Sequence, residues 1–218
     1  GVHSGTPSGG LSYASGEVGQ AFSLNGTNAA VDLGNWFNLQ TFSVGMWVKP
    51  GATQLAFTDL IDNNHNDVFW RSWTVEYENT GLRFAWDLFT TGGGYTRIPF
   101  ELKTNTWQYL VLTLDSNRLA QVYLDGQLQG SGTLSGAINY DGTQFLRLGR
   151  WGGGGRYFNG QMDEVDIYNR ALAAGEIQDI YNAGSAGKCP PAAPGNCDPP
   201  PSGLVSWWQA EDNAADAV

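Results

Sequence analysis

Two carboxylates stand one residue apart in the stretch Glu164-Val165-Asp166. Alternate residues of a β-strand project to the same face, so this spacing would place both carboxylates side by side. Adjacent carboxylates are groups that enzymes use as general acid and nucleophile. The two histidines, His3 and His65, are far apart in the sequence, and no serine or cysteine motif accompanies either of them. A nucleophilic triad is therefore not predicted.

Several aromatic residues lie near the glycine runs at 92–94 and 152–155. Residues of this type suggest a ligand-binding surface and not a catalytic site. Aromatic rings present flat apolar faces on which sugar rings stack. A sugar-binding platform is predicted from Trp70, Trp86, Tyr95, Trp151 and Tyr157. The alternative for these rings is packing within the core or between strands.

The only two cysteines, Cys189 and Cys197, lie in a proline-rich segment. Their local spacing suits a small closed loop better than a zinc site, which needs four ligands. We predict a disulfide, with two reduced thiols in a linker as the alternative. A disulfide implies an oxidising, extracellular or cell-surface setting. On the chain-entropy model, closing so short a loop stabilises it by about 2.5 kcal/mol.

The composition favours strands and turns. Only 15% of the 218 residues are charged, 13% are aromatic and 30 are glycine, which excludes a helix bundle. Asp and Glu number 21 against 11 Lys and Arg, a net charge of −10, so nucleic acid is not expected as a partner. No apolar run approaches the roughly 20 residues of a membrane helix, so membrane insertion is not expected either.

Strand patterns recur about every ten residues with polar, glycine-rich turns between them, as in an antiparallel sandwich. Residues 42–50 alternate strictly and place Phe42, Val44, Met46 and Val48 on one face. A first hairpin is expected around Asn25-Gly26. Further strands are predicted at 60–61, 73–77, 82–88, 95–99, 107–114, 121–124, 145–148 and 161–168. One short helix is predicted over 171–182, with Gly184 at its end.

The composition changes between residues 185 and 202, where six of the nine prolines lie. This segment is predicted to be a stiff linker between a body at 1–184 and a final strand at 203–218. Strict alternation would place Leu204 and Trp208 on one face of that strand and Val205 and Trp207 on the other. Each of these side chains would forgo about 1.5–3 kcal/mol if left in water, so the strand should be bound somewhere.

Three stretches resemble the laminin-G-like branch of the concanavalin A-like lectin/glucanase superfamily. They are Phe42-Ser-Val-Gly-Met-Trp-Val-Lys-Pro50, Trp107-Gln-Tyr-Leu-Val-Leu-Thr-Leu114 with Val122-Tyr-Leu-Asp-Gly126, and Gly160-Gln-Met-Asp-Glu-Val-Asp-Ile-Tyr-Asn-Arg-Ala-Leu172. The resemblance implies an all-β, two-sheet antiparallel jelly roll with one short helix on its C-terminal side, followed here by the proline-rich linker and an extra strand.

Domains of that branch usually begin with a strand like Gly203-Leu-Val-Ser-Trp-Trp208, which stands at the other end of this chain. The chain therefore resembles one period of a tandem or polymerising repeat whose body lacks its own first strand. The assembly strand, with Leu204, Val205, Trp207 and Trp208, is expected either to complete the next copy or to fold back into its own body. The stiff linker favours the next copy.

The resemblance also bears on chemistry. Glucanases of this fold carry a paired-carboxylate strand like Glu164-Val165-Asp166 that continues to a second Glu, whereas residue 168 here is Tyr, so no catalytic residues and no enzyme are predicted. Members of the branch often hold calcium where the first and last strands approach each other. That resemblance implies a calcium site formed by Asp163, Glu211, Asp212 and Asp216.

The sequence is compatible with two functions. The first is a non-catalytic extracellular structural or adhesive module that assembles head-to-tail with other copies of itself, as a surface repeat protein or a filament. The alternative is a carbohydrate-binding module for a polysaccharide, with the C-terminal strand closing its own domain.

Overall fold

The computed structural model describes residues 2–64, 71–189, 197 and 199–218. Its elements in chain order are β1 (Thr6–Ser8), β2 (Ser12–Ser15), β3 (Gln20–Asn25), β4 (Ala30–Gly34), β5 (Phe42–Pro50), β6 (Asp59–Asp62), β7 (Trp73–Tyr77), β8 (Arg83–Phe89), β9 (Tyr95–Glu101), β10 (Gln108–Leu114), β11 (Leu119–Leu124), β12 (Gln127–Thr133), β13 (Leu146–Leu148), β14 (Asn159–Tyr168), α1 (Ala174–Ala183), a 3-10 turn (Gly184–Ala186) and β15 (Leu204–Trp208).

These strands form two antiparallel sheets, which confirms the predicted jelly-roll sandwich with one short helix. Sheet A has the order β1-β4-β13-β6-β7-β8-β9. Sheet B has the order β12-β11-β10-β5-β14-β3-β2, and β15 pairs with β14 beside that path. No helix in the described part of the chain has the length and apolar character needed to span a bilayer.

The main core lies between the two sheets. Phe42, Val44, Met46 and Val48 of β5 are all fully buried in it, as the alternation predicts. A second apolar layer covers the outer face of sheet B, where α1 packs on strands β5, β10 and β14 through Ile177 and other buried side chains. Helix α1 therefore covers part of the outer face of sheet B.

The predicted hairpin at Asn25-Gly26 is wrong. Strand β3 pairs with β2 and β14 in sheet B, whereas β4 pairs with β1 and β13 in sheet A. The Asn25 side chain explains the turn, because its Oδ1 accepts hydrogen bonds from the backbone N–H groups of Thr27, Asn28 and Ala29 at 2.9, 3.0 and 3.1 Å. This bend carries the chain from one sheet to the other.

Helix α1 begins at Ala174, three residues after the predicted start. The Glu176 carboxylate sets this start, since its Oε2 accepts the Ala173 N–H at 2.8 Å and it also pairs with Arg170. Gly184, with φ of 49°, follows the last helical residue as predicted.

Strand β15 pairs with β14 of the same chain, in register Val165–Trp208 and Asp166–Trp207. An irregularity between Ile167 and Tyr168 breaks the alternation of β15. As a result Leu204 packs under α1 while Trp208 lies in the main core, so the expected common face for these two residues is wrong.

Cys189 and Cys197 form a disulfide with Cα atoms 5.0 Å apart, so the predicted pairing is confirmed. Residues 190–196 and 198 of the predicted linker lie outside the described residues.

Candidate functional site

A polar pocket lies on the outer face of sheet A. Because alternate residues of β7, β8 and β9 point away from the core, Glu76, Asp87, Tyr95 and Arg97 reach the same surface. The cavity has a volume of about 220 Å³. It is lined by Phe57, Asp59, Asn64, Thr74, Glu76, Asp87, Phe89, Tyr95, Arg97, Trp151 and Arg156.

A hydrogen-bond network fixes the floor of this pocket. Asp87 accepts hydrogen bonds from the Tyr95 hydroxyl at 2.7 Å and from Arg97 Nη1 at 2.6 Å. The Nε of Arg97 donates to Glu78 at 2.9 Å. Deeper in the pocket, Thr74 Oγ1 donates to Asp59 at 2.7 Å. The polar groups are therefore held in place before any ligand arrives.

Aromatic rings and a guanidinium form the rim. The Arg156 guanidinium lies 4.5 Å from the Trp151 ring and 5.2 Å from the Phe57 ring, and it pairs with Glu76 at 3.2 Å. Phe57 and Tyr95 are 46% and 47% exposed, so their rings face solvent at the mouth of the pocket. The rim thus offers apolar faces beside charged groups.

Burial alters the acid–base properties of the pocket. Desolvation raises the pKa of Asp59, Glu76 and Asp87, and it raises the pKa of Tyr95 to about 12, helped by the hydrogen bond to Asp87. Tyr95 therefore remains a hydrogen-bond donor at neutral pH. Together with Arg97, the pocket presents both donors and acceptors, which is the combination that hydroxyl groups satisfy.

A larger cavity, of about 810 Å³, lies on the same sheet beside the start of the chain. The rings of His3 and Trp36 stack there with centroids 3.8 Å apart, and Asp32 pairs with Arg150 at 2.8 Å. The segment 149–157 runs between the two cavities, with Gly152 at the larger one and Trp151 at the smaller one.

The predicted aromatic platform is only partly assembled. Tyr95 and Trp151 line the polar pocket, and Tyr157 lies next to it through a backbone bridge to Asp59. Trp86 is fully buried in the core, so its ring is withdrawn from any platform. Trp70 lies outside the described residues.

The paired carboxylates Glu164 and Asp166 do not face the open surface of sheet A. They lie on the helix-covered side of sheet B, where Lys188 Nζ is 2.8 Å from Glu164 Oε2 and 3.2 Å from Asp166 Oδ2. The indole N–H of Trp207 donates to Glu164 Oε2 at 3.0 Å. All three ionisable side chains are at most 2% exposed. Burial raises the pKa of both carboxyls, and Lys188 opposes that rise.

The predicted calcium ligands do not converge. Asp163 accepts a hydrogen bond from Val18 N, Glu211 from Gln20 N, Asp212 from Gln20 Nε2, and Asp216 from the backbone N–H groups of Trp207 and His3. Within the described ranges, no group of three or more His, Cys, Asp or Glu residues is arranged to hold a metal ion. The Glu211 and Asp212 oxygens instead join the C-terminal segment to β3, and Asp216 joins that segment to His3.

Sequence comparison and structural comparison agree with this architecture. A laminin-G-type family model, described as the concanavalin A-like lectin/glucanases superfamily, matches residues 25–178. The chain belongs to this superfamily. The match covers strands β4 to β14 and the first half of α1, so the residues of the polar pocket and the buried carboxylates lie within the matched range.

Several solved structures share the fold at low sequence identity. Domain 4 of the extracellular arabinanase AbnA from Geobacillus stearothermophilus, in complex with arabinotriose, is 23% identical with a TM-score of 0.65, covering 80% of this chain and 86% of that one. The receptor-binding domain of botulinum neurotoxin type G is 20% identical with a TM-score of 0.64, covering 82% and 45%. The binding domain of botulinum neurotoxin DC, in complex with SialylT, is 13% identical with a TM-score of 0.64, covering 82% of this chain and 46% of that one.

Proposed function

We propose that this chain is a non-catalytic, extracellular carbohydrate-binding module whose polar pocket on the outer face of sheet A takes a sugar residue of a polysaccharide. In this proposal the C-terminal strand closes its own domain. The observation that carries it is the pocket itself, where the Asp87–Tyr95–Arg97 network lies beneath a rim that includes Trp151.

The pocket suits sugar chemistry in two respects. Sugar hydroxyls both donate and accept hydrogen bonds, and Asp87 and Arg97 supply fixed partners of each kind. The C–H face of a sugar ring is apolar and packs on aromatic rings such as Trp151. A volume of about 220 Å³ lies below the roughly 300–1,000 Å³ of drug-sized ligand sites, so we infer that one ring of a longer chain is held.

Two of the structural relatives support a sugar ligand. The AbnA domain was solved with arabinotriose and the botulinum neurotoxin DC domain with SialylT. AbnA is also an extracellular enzyme, and the disulfide of this chain suits an oxidising environment. A non-catalytic role is supported by the engagement of Asp87 with Tyr95 and Arg97, and of Glu164 and Asp166 with Lys188.

A glycan array with plant, algal and animal polysaccharides, followed by calorimetry on the best ligand, tests the proposal. Arg97→Met removes a charged hydrogen-bond donor worth about 1.5–3 kcal/mol, so affinity should fall roughly tenfold or more. Trp151→Ala should weaken binding as well. Tyr13→Ala, which removes a partly exposed ring on β2 of the other sheet, is the matched control and should leave affinity unchanged. Absence of binding to every glycan would contradict the proposal.

A second candidate function, head-to-tail assembly with other copies, is favoured by one observation. The segment that follows β15 contacts the start of the chain, with Gly5 N donating to Ala214 O at 2.7 Å and Trp208 Nε1 donating to His3 O at 3.0 Å. The same contacts would form if residues 203–218 of one copy bound β14 and residues 3–5 of the next copy, as in a surface repeat or filament. The mass of the protein in solution at increasing concentration separates the two arrangements.

A further inference from the structure

The buried cluster of Lys188, Glu164 and Asp166 contains the groups needed for a covalent reaction within the chain. We propose that Lys188 and Asp166 are joined by an intramolecular amide bond, formed with Glu164 as the proton-transfer group. This modification is independent of sugar binding, because the cluster lies on the opposite sheet from the polar pocket.

The positions of the three groups fit this reaction. The Lys188 amine is 3.2 Å from Asp166 Oδ2, which is one oxygen of the carboxyl group it would attack. It is also 2.8 Å from Glu164 Oε2, which can take up a proton from the amine. Reacting groups held at about 3–3.5 Å gain a large advantage over the same groups free in water.

The backbone polarises Asp166 rather than Glu164. Gly45 N donates a hydrogen bond at 3.0 Å to Asp166 Oδ1, the oxygen opposite the one that faces the amine. This donor stabilises negative charge on Oδ1 as the amine adds, as an oxyanion hole does. Glu164 Oε2 instead accepts hydrogen bonds from Trp207 Nε1 and Lys188, which suits a group that holds and passes a proton. Asp166 is therefore the electrophile.

The reaction balances without any other reagent. The Lys188 Nζ–Asp166 Cγ bond forms, the Cγ–Oδ2 bond breaks, and Oδ2 leaves as water. Two protons pass from the attacking nitrogen to the departing oxygen by way of Glu164, which ends in the protonation state in which it began. Neither oxidation nor reduction occurs.

Burial favours the product. Lys188, Glu164 and Asp166 are at most 2% exposed, so a buried cation and a buried anion are held away from water at a considerable desolvation cost. An amide removes both of these charges and leaves Glu164, whose pKa is raised by burial, as the one ionisable group of the three. Once the released water has left, the buried site excludes the water that hydrolysis of the new bond would need. Glu164 then remains hydrogen-bonded to Trp207 and can accept a hydrogen bond from the N–H group of the new amide.

Backbone strain in β14 also points to a constrained site. Glu164 has φ of 52°, a left-handed conformation that costs a non-glycine residue about 1–3 kcal/mol. A bulge between Asp163 and Asp166 opposite β5 accompanies it. The extra residue turns Glu164 and Asp166 to the same side as Lys188, and such outliers persist where the surrounding structure requires them.

Intact-mass measurement of the purified, disulfide-intact chain tests the proposal directly. The expected mass is lower by one water molecule than that of the disulfide-bonded sequence. Trypsin should not cleave after Lys188, and a branched peptide should join residues 157–170 to residues 171–218. Fragmentation should place the branch at Asp166. The full, unlinked mass with normal cleavage after Lys188, or a branch at Glu164, would overturn the proposal.

Three variants sharpen this test. Lys188→Arg keeps the positive charge but should show the full mass of its own sequence. Glu164→Gln should also remain unlinked, and complete linkage in this variant would overturn the role of Glu164. Asp166→Asn should lose ammonia instead of water if it reacts, which identifies the atom that leaves. The mass of the unaltered protein decides the proposal even if a variant does not fold.

Discussion

Asp163 is a buried carboxylate whose titration should be visible in the stability of the protein. Burial raises its pKa to about 8 from an ordinary value of 3.8. A carboxyl whose pKa is raised by folding binds more protons in the folded state, so it stabilises the fold at low pH and loses this contribution as the pH rises from about 4 to about 8.

Asp163→Asn should remove this contribution, because the amide is neutral at every pH and its oxygen can still accept the Val18 N–H. Urea unfolding at pH 5 and pH 8 should show that the free energy of unfolding falls less between these pH values in the variant than in the parent. At pH 8 the variant should be more stable than the parent. Other buried carboxyls affect both proteins alike and cancel in the comparison. Glu101→Gln, at an exposed position on β9, is the control. Equal pH dependence in Asp163→Asn and the parent would refute the assignment.

Trp208 should be among the most costly side chains to remove. It is fully buried in the main core, and its indole N–H donates to His3 O at 3.0 Å. Trp208→Ala should lower the free energy of unfolding by about 3–5 kcal/mol, measured by urea denaturation. Leu128→Ala, at a side chain 51% exposed, should change it by less than about 0.5 kcal/mol. A similar small effect for both variants would mean that β15 is not packed as described.

At the scale of elements, β15 should be required for a stable sheet B. Deleting residues 203–218 removes Trp207 and Trp208 and exposes the edge of β14 from Val165 to Tyr168. The truncated protein should unfold at lower temperature and associate nonspecifically. A synthetic peptide of residues 203–218 should raise its melting temperature with increasing concentration, since a ligand of the folded state stabilises it. Failure of the peptide to bind or stabilise would contradict this role.

The strands that alternate strictly were predictable from the sequence. β5 is the best case, because one face from Phe42 to Val48 is wholly buried and the register follows. The disulfide and the helix end at Gly184 were also predictable, since each depends on local spacing. The bulge at Glu164 was not, because an extra residue in one strand depends on its partner strand and leaves no signal in a single sequence.

The candidate site was less predictable than the fold. Tyr95 and Trp151 were identified from their aromatic type, yet Trp86 has the same type and lies in the core. Asp87 and Arg97 occupy outward positions of predicted strands, so strand alternation could have placed both on the outer face of the sheet. They were missed because the site was predicted from aromatic residues alone. Lys188 was missed because its partners lie 22 and 24 residues earlier in the chain and meet it only after α1 folds onto sheet B.

At the scale of the whole molecule, the place of β15 decides between the two candidate functions. If the strand closes its own domain, sedimentation equilibrium should give 23.5 kDa at every concentration. If β15 is donated to another copy, the mean mass should rise with concentration, and Trp207→Ala should reduce that rise. A constant monomer mass would leave carbohydrate binding as the remaining one of the two candidate functions. A rising mass would favour head-to-tail assembly.

The central claim is that a sugar binds on the outer face of sheet A, and its most direct test is NMR mapping of backbone amides during titration with the best glycan ligand. The largest shift changes should occur at Asp87, at residues 95–97 and at residues 151–156, which surround the pocket. Shift changes confined to sheet B, or to the larger cavity beside Trp36, would contradict the claim.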